Sequence, residues 1–196
     1  MTYYAHASED GLRRQTVAEH LTGTAALCRA FASAFGAEAD GELMALAHDL
    51  GKCTDAFQRR LLDGGPIVDH ATAGAVACAR QGNACAAACV AGHHSGLPDF
   101  GNLKSDRAGE TTLFGRLKKG MEGRYLEQCG ESGVTLPQTP AQMPELSRLT
   151  ASFRMRMLYS CLVDADFLDT ERFMNGDRGR GGYDDLPTLL KRLEAY

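Results

Sequence analysis

The sequence predicts an all-α fold, a bundle of helices that encloses a cluster of histidines and aspartates. Apolar residues recur at spacings of three, four and seven in several stretches, which is the period of a helix. In no stretch do apolar and polar residues alternate as they would in a half-buried strand. A chain of 196 residues is the size of one domain. We expect that domain to span residues 1–175, followed by a flexible tail and a short C-terminal helix over residues 176–196.

The first predicted helices carry candidate functional residues. Residues 16–35 keep apolar side chains on one stripe, and His20 falls on that stripe. The next helix is predicted to carry His48 and Asp49 in its last turn. Thr54 can then cap a short amphipathic helix.

Two alanine-rich helices are predicted in the middle of the chain. Asp69 suits the N-cap position of the first, which puts His70 in its first turn. Residues 84–91 form the second, whose small side chains allow close packing at the centre of the domain. It leads to the adjacent residues His93 and His94, which lie between glycines and are hard to explain by packing alone.

A long helix is predicted over residues 145–170. One apolar stripe of this helix comprises Leu149, Phe153, Met157 and Cys161, with Leu146, Leu158 and Leu162 beside it. Its C-terminal part carries Asp164, Asp166 and Asp169 in a largely apolar run. Because Asp164 and Asp166 point about 200° apart, they cannot both serve one site, and we expect Asp166 to face inward. Asp169, one turn on, is expected to support the site or to cap the helix.

The charge of the chain is unevenly distributed. A net charge of −4 and a pI near 5.9 argue against a protein that coats nucleic acid over its whole surface. Residues 100–126 depart from this balance, with six Lys or Arg against three Asp or Glu, a local net charge of +3. This segment is either a rim that faces phosphate or a solvated helix face.

We expect a cytoplasmic protein with reduced thiols and no membrane partner. No charged leader opens the sequence, and no apolar stretch approaches the roughly 20 residues that a membrane span needs. The seven cysteines include no CxxC pair. Cys78, Cys85 and Cys89 lie in alanine-rich helical sequence, where a thiol packs as a small apolar group.

The organising motif is the segment 48–52, His-Asp-Leu-Gly-Lys. Side chains of adjacent helical residues diverge by about 100°, so His48 and Asp49 can both reach a site between their two directions. The full set of candidate metal ligands is His20, His48, Asp49, His70, His93, His94 and Asp166. Seven groups exceed what one ion uses, so we predict a dinuclear metal site at the centre of the bundle, bridged by Asp49. A histidine-rich set favours manganese, nickel, cobalt or iron over magnesium.

Two such ions suit the hydrolysis of a phosphate ester, with Asp49 and Lys52 as the candidate catalytic residues. Lys52 lies one turn beyond the ligands and can add a positive charge for phosphate. The candidate substrate-binding residues are Lys52, Ser95, Lys104, Arg107, Lys118 and Lys119.

The segments AEHL, AHDLGK, DHATAGA, AGHHSGLPD and LVDADFLDTE occur in this order. They resemble the HD metallophosphohydrolase superfamily, and more narrowly the HD nuclease domain of the CRISPR type I interference helicase-nuclease. The resemblance runs from about Tyr3 to Glu171 and implies an all-α fold. It implies that one ion is held by His20, His48, Asp49 and Asp166. It implies that the other ion is held by Asp49, His70, His93 and His94.

The same resemblance implies metal-dependent cutting of single-stranded DNA, with the strand supplied by a helicase. The sequence contains no GxxxxGKS/T loop and is too short to hold a motor as well. The helicase and the CRISPR surveillance complex would therefore act in trans or belong to a longer chain.

Two other functions stay open. A phosphohydrolase acting on small nucleotides or cyclic dinucleotides also carries the His-Asp motif, but the cyclic dinucleotide class has an acid directly after the histidine pair and a Gly-Tyr-Pro element, both of which this sequence lacks. A non-catalytic interaction module would keep the helices as a scaffold, but the presence of all seven candidate ligands argues against it.

Overall fold

The computed structural model describes residues 2–121, 123–138, 147–177, 179 and 181–196. In this part of the chain it is mostly helical, which confirms the predicted all-α class. The helices are α1 Val17–Ser33, α2 Glu38–Ala47, α3 Asp55–Asp63, α4 Ala71–Arg80, α5 Ala84–Gly92, α6 Leu113–Lys119, α7 Tyr125–Glu131, α8 Arg148–Asn175 and α9 Leu186–Glu194. None of these described helices is long and apolar enough to cross a membrane.

A β-hairpin precedes the helices and was not expected. Strands β1 Tyr4–Ala7 and β2 Arg14–Thr16 pair in antiparallel fashion. Strands of four and three residues are too short to show the alternation that identifies a strand in sequence. In the turn, Gly11 takes a left-handed conformation with φ of 69°.

The predicted start of α1 is confirmed by a capping box. The Thr16 side chain accepts a hydrogen bond from the Glu19 N–H, and the Glu19 carboxylate accepts one from the Thr16 N–H. Thr54 likewise caps α3, as the sequence predicts, and Gly64 ends that helix at φ of 74°.

The helix that was predicted to contain His48 and Asp49 ends earlier, at Ala47. His48 is its C-cap, Asp49 adopts φ of −113°, and a 3₁₀ turn follows at Leu50–Cys53. This break matters because, in a continuous helix, the side chains of His48 and Asp49 would point about 100° apart. Both are instead fully buried.

Alanine and glycine allow the central helices to approach closely. Helix α1 packs against α2 and α8, and α5 packs against α4 and α8. A Cβ atom on Gly74 of α4 would lie 1.9 Å from the carbonyl oxygen of Ala47, and one on Gly41 would lie 2.9 Å from that of Cys28. The ends of α2, α4 and α5 therefore meet at the centre of the fold.

The buried face of α8 confirms one part of the predicted apolar pattern and contradicts another. Leu149 and Phe153 are 81% and 64% exposed, whereas Leu158, Cys161, Leu162 and Ala165 are buried. The helix packs on the core through its middle part, from Met155 to Asp169, and its first turns extend beyond the core. The predicted start at residues 145–146 lies outside the described residues.

The expectation of reduced thiols is wrong for one pair of cysteines. Cys53 in the 3₁₀ turn and Cys129 in α7 form a disulfide across a sequence separation of 76. Helix α7 packs against that turn and brings the two Cα atoms to 5.7 Å. No local sequence pattern predicts this contact. Cys78 and Cys89 are free and buried, as predicted, while Cys85 is free and half-buried.

Candidate metal centre

The fold brings all seven candidate ligands together. They come from α1, from the end of α2, from the entrance of α4, from the end of α5 and from α8. Among these seven residues, two groups hold potential ligand atoms within 4.8 Å of one another. The first group is His20, His48 and Asp166, and the second is Asp49, His70, His93 and His94.

Asp49 lies between the two groups. Its Oδ2 atom is 3.4 Å from His20 Nε2 and 3.3 Å from His48 Nε2. Its Oδ1 atom is 3.4 Å from His70 Nε2 and 3.6 Å from His93 Nε2. Each carboxylate oxygen therefore faces a different group of imidazoles.

Asp166 completes the first group. Its Oδ1 atom lies 3.3 Å from His20 Nε2 and 3.7 Å from His48 Nε2, and those two nitrogens are 3.2 Å apart. Asp164, on the opposite side of α8, is exposed. The structure thus directs Asp166 inward and Asp164 outward, in agreement with the expectation from the sequence.

The imidazoles are held by their other nitrogen. The Nδ1 atoms of His48 and His93 lie 2.7 Å from the carbonyl oxygens of Ala45 and Val90. A carbonyl only accepts, so Nδ1 carries the proton and donates. The Nε2 atom points into the site, as it does in metal-ligating histidines.

Asp169 supports His20 in the same way. Its Oδ2 atom lies 2.8 Å from His20 Nδ1 and accepts a hydrogen bond of 2.8 Å from Gln15 Nε2. A Cβ atom on Gly23 would lie 2.0 Å from Asp169 Oδ1, so only glycine leaves room for this carboxylate against α1. Gln15 and Gly23 were not predicted as parts of the site, although a glycine inside a helical pattern was a usable signal.

The electrostatics of the two groups differ. Burial acts to lower the pKa of His20, but the carboxylates of Asp166 and Asp169 outweigh it and raise the pKa to about 9. The pKa of His48 is raised to about 10, where Asp49 outweighs burial. Burial lowers the pKa of His70, and burial together with His93 lowers that of His94 to about 4. The first group therefore attracts positive charge, and the rings of His70 and His94 stay neutral, the form that binds a metal.

The residues present fit divalent metal ions. The Lys52 ammonium lies against Asp49 Oδ2, but among the described residues Asp49 Oδ1 and His93 Nε2 are buried without a hydrogen-bond partner. Such orphaned polar atoms are costly, and a cation among them removes the cost. The donors are imidazole nitrogens and carboxylate oxygens with no thiolate, which suits a borderline transition metal.

Lys52 lies inside the site and not at its rim. Its side chain is buried, and its Nζ atom is 2.6 Å from Asp49 Oδ2 and 5.5 Å from the centre of the Phe57 ring. The ammonium group holds the pKa of Asp49 well below its usual range against the opposing effect of burial.

The other candidate substrate-binding residues lie on the surface. Ser95 lines a cavity of about 340 Å³ together with Leu97, Thr112 and Arg116. Lys104, Arg107, Lys118 and Lys119 are exposed, and Lys118 Nζ donates to the carbonyl oxygen of Asp106 at 2.6 Å.

Asp69 shows that α6 reaches the entrance of α4. Burial raises its pKa, but hydrogen bonds from Thr72 and the charges of Arg116 and Lys119 lower it below its usual value. Positive charge from residues 113–119 thus lies near the residue that precedes His70.

Comparison with known families identifies one match. The HD domain family matches residues 17–122, more than half of the chain. This segment contains His20, His48, Asp49, His70 and the His93–His94 pair, whereas His6 and Asp166 lie outside it. Comparison with curated proteins gave no match. With this match, and with the histidines and aspartates brought together as described, the chain belongs to the HD domain family of metal-dependent hydrolases.

Proposed function

We propose that the protein is a metal-dependent nuclease that cleaves the phosphodiester bonds of single-stranded DNA and acts in CRISPR type I interference, a form of antiviral defence. The observation that carries the catalytic part of this proposal is the position of Asp49. Its two oxygens face two separate groups of ligands at 3.3 to 3.6 Å. One carboxylate shared in this way is the arrangement that holds a pair of ions.

The proposed centre contains two divalent transition-metal ions, manganese, nickel, cobalt or iron. The first is assigned to His20, His48, Asp49 and Asp166, and the second to Asp49, His70, His93 and His94. When bound, such a pair supplies an activated water nucleophile and neutralises charge on the phosphoryl oxygens. The chain itself orients the ligands, through the Ala45 and Val90 carbonyls, and keeps bulk water away from the first group.

Substrate is proposed to enter over the second group. His20 and His48 are fully buried, but His94 is exposed and its Nε2 atom lies 2.9 Å from His70 Nε2. The cavity lined by Ser95 and Arg116 begins one residue after His94 in the chain, and no candidate metal ligand lines it. A phosphate arriving over the second group would meet the metal centre, and the buried Lys52 ammonium would add positive charge from within.

A single strand fits this access better than a duplex. The centre is recessed, since Asp49 is only 1% exposed, and duplex DNA is stiff over about 150 base pairs. The exposed residues Lys104, Arg107, Lys118 and Lys119 would bind the phosphate backbone of the DNA strand. Such binding falls with rising salt and shows little sequence preference.

The proposed partners are a helicase that supplies the strand and the CRISPR surveillance complex, acting in trans or on the same longer chain. These partners, like the CRISPR assignment itself, rest on the sequence resemblance. The proposed location is the cytoplasm. Disulfides rarely persist there, but both sulfur-bearing residues of the Cys53–Cys129 pair are buried, which protects the bond from reductants.

The second candidate function is a phosphohydrolase of small nucleotides. The cavity lined by Ser95 and Arg116 favours it, since about 340 Å³ is within the range of small-ligand sites. One assay separates the two functions. The purified protein is incubated with manganese, nickel or cobalt and with circular single-stranded DNA, blunt duplex DNA or a panel of nucleotides. We expect the circular strand to be degraded and the duplex to stay largely intact. If a nucleotide is hydrolysed and the circular single strand stays intact with every metal, the nuclease proposal is wrong and the second function takes its place.

A further inference from the structure

The β-hairpin brings a sixth histidine to the metal centre. We propose that His6 is a further ligand of the ion assigned to His20, His48, Asp49 and Asp166. The inference deepens the proposed two-ion centre and rests on it. It adds a residue that lies outside the matched family segment and that the sequence analysis did not select.

The geometry around His6 supports a ligand role. Potential ligand atoms of His6, His20 and Asp49 all lie within 4.8 Å of one another. Ligands on opposite sides of one ion are about 4.2 Å apart, since each metal–nitrogen bond is about 2.1 Å. Shifts of a few tenths of an ångström would therefore bring this set onto one ion. The His6 and His20 rings meet edge to face, with centroids 4.7 Å apart, so neither blocks the other from a shared point.

The same face of α8 holds both Asp166 and a partner of His6. Thr170, one turn after Asp166, places its Oγ1 atom 3.4 Å from His6 Nε2. This contact orients the His6 ring on the side of α8 that also carries Asp166. The first group also has room for it, because four protein ligands leave positions open on a six-coordinate transition ion.

The hairpin is tied to the elements that carry the other ligands. The Arg13 guanidinium donates to the carbonyl oxygens of Phe173 and Met174 at the end of α8, at 2.9 and 3.0 Å. Strand β2 contributes Gln15, which donates to Asp169, the partner of His20.

Strand β1 is fixed on its other side by Gln58. The Tyr4 N–H donates to Gln58 Oε1 at 3.0 Å, and Gln58 Nε2 donates to the carbonyl oxygens of Tyr4 and Lys52 at 2.9 and 2.8 Å. Since Lys52 follows the His48–Asp49 motif, the hairpin that carries His6 is coupled to the backbone of the metal centre. Its contacts hold His6 in place without requiring any ion.

The test measures metal binding and does not depend on the substrate. His6→Ala and His6→Phe are purified with saturating manganese or cobalt, and bound metal per chain, cobalt affinity and the visible absorption of bound cobalt are measured. We expect both variants to bind the first ion at least about tenfold more weakly, with an altered cobalt spectrum. His6→Phe keeps an aromatic ring against Phe173 and His20, so it would restore wild-type binding if His6 only packed.

The matched control is Arg14→Ala in the same hairpin. Arg14 lies over the Tyr4 ring and has no contact with a candidate ligand among the described residues. We expect this variant to bind metal as the wild type does, and thermal unfolding checks that all variants are folded. If His6→Ala does not fold, His6→Phe decides the question on the same measurements.

The outcomes separate this inference from the function on which it rests. Wild-type affinity and an unchanged cobalt spectrum in His6→Phe would overturn the role of His6 alone. A wild-type protein that binds fewer than two ions would overturn the dinuclear centre and, with it, this assignment. A wild-type protein that binds two ions but cuts no single-stranded DNA would overturn the nuclease and leave His6 as a ligand.

Discussion

Replacing Gly23 by alanine should damage the metal centre without touching a ligand. The new Cβ atom would lie 2.0 Å from Asp169 Oδ1, where an ordinary contact is at least 3.4 Å. Oδ1 must therefore move by about 1.4 Å, and the carboxyl carbon, 2.9 Å from the new atom, must move with it, which disrupts the 2.8 Å contacts of Oδ2 with His20 Nδ1 and Gln15 Nε2.

The size of the effect follows from these contacts. Each hydrogen bond to a charged group contributes about 1.5 to 3 kcal/mol, so the loss of two costs about 3 to 6 kcal/mol. Alanine in place of glycine inside a helix stabilises the folded protein by about 1 kcal/mol. We expect a net loss of about 2 to 5 kcal/mol in the free energy of unfolding. Because His20 loses the partner that orients its ring, metal affinity should fall about 10- to 100-fold.

The assay is urea unfolding together with a metal titration, and Gly130→Ala is the control. Gly130 also lies in a helix, α7, but a Cβ there meets nothing within 4 Å. The control should gain up to about 1 kcal/mol and bind metal unchanged. If Gly23→Ala were as stable as this control and bound metal like the wild type, Asp169 would not be the group that holds His20.

Three further variants test the site. Asp49→Ala should abolish activity and sharply lower metal content in both groups, whereas retention of two ions per chain, measured by elemental analysis, would contradict the bridging role. Asp166→Asn should lose at least about 100-fold in activity while Asp164→Asn stays active, and the reverse result in the same cleavage assay would mean that the register of α8 is misassigned. Charge reversal at Lys118 and Lys119 should weaken DNA cleavage without loss of metal and reduce the salt dependence of binding by about one unit of slope per lysine; an unchanged slope would remove these residues from the DNA path.

The candidate ligands could be found from the sequence because each lies where local rules apply. Helix ends are marked by caps and glycines, and the angle between helical positions separates Asp166 from Asp164 without any knowledge of the fold. The predicted positions of His48 and Asp49 were correct to within one turn. The break after Ala47 that turns both inward was missed, because His-Asp-Leu carries no helix-breaking residue before Gly51.

The features that were missed depend on contacts between distant parts of the chain. The hairpin gains its order from Gln58 and from the end of α8, 54 and 160 residues away. The apolar residues Leu149 and Phe153 satisfy the helical period, but period alone does not say how far a helix extends beyond its core. The Cys53–Cys129 pair depends on the packing of α7, which periodicity does not reveal.

The Cys53–Cys129 disulfide closes a covalent loop that includes some of the candidate metal ligands and excludes others. The loop that it closes contains His70, His93 and His94, while His20, His48 and Asp166 lie outside that loop. Closing a loop across a separation of 76 residues lowers the entropy of the unfolded chain by an amount equivalent to about 4 to 5 kcal/mol. The histidines of the second group thus stay on one closed ring of chain when the molecule loosens. The first group is held by no such ring and depends on the packing of α1, α2 and α8, so under denaturing stress it should come apart before the second.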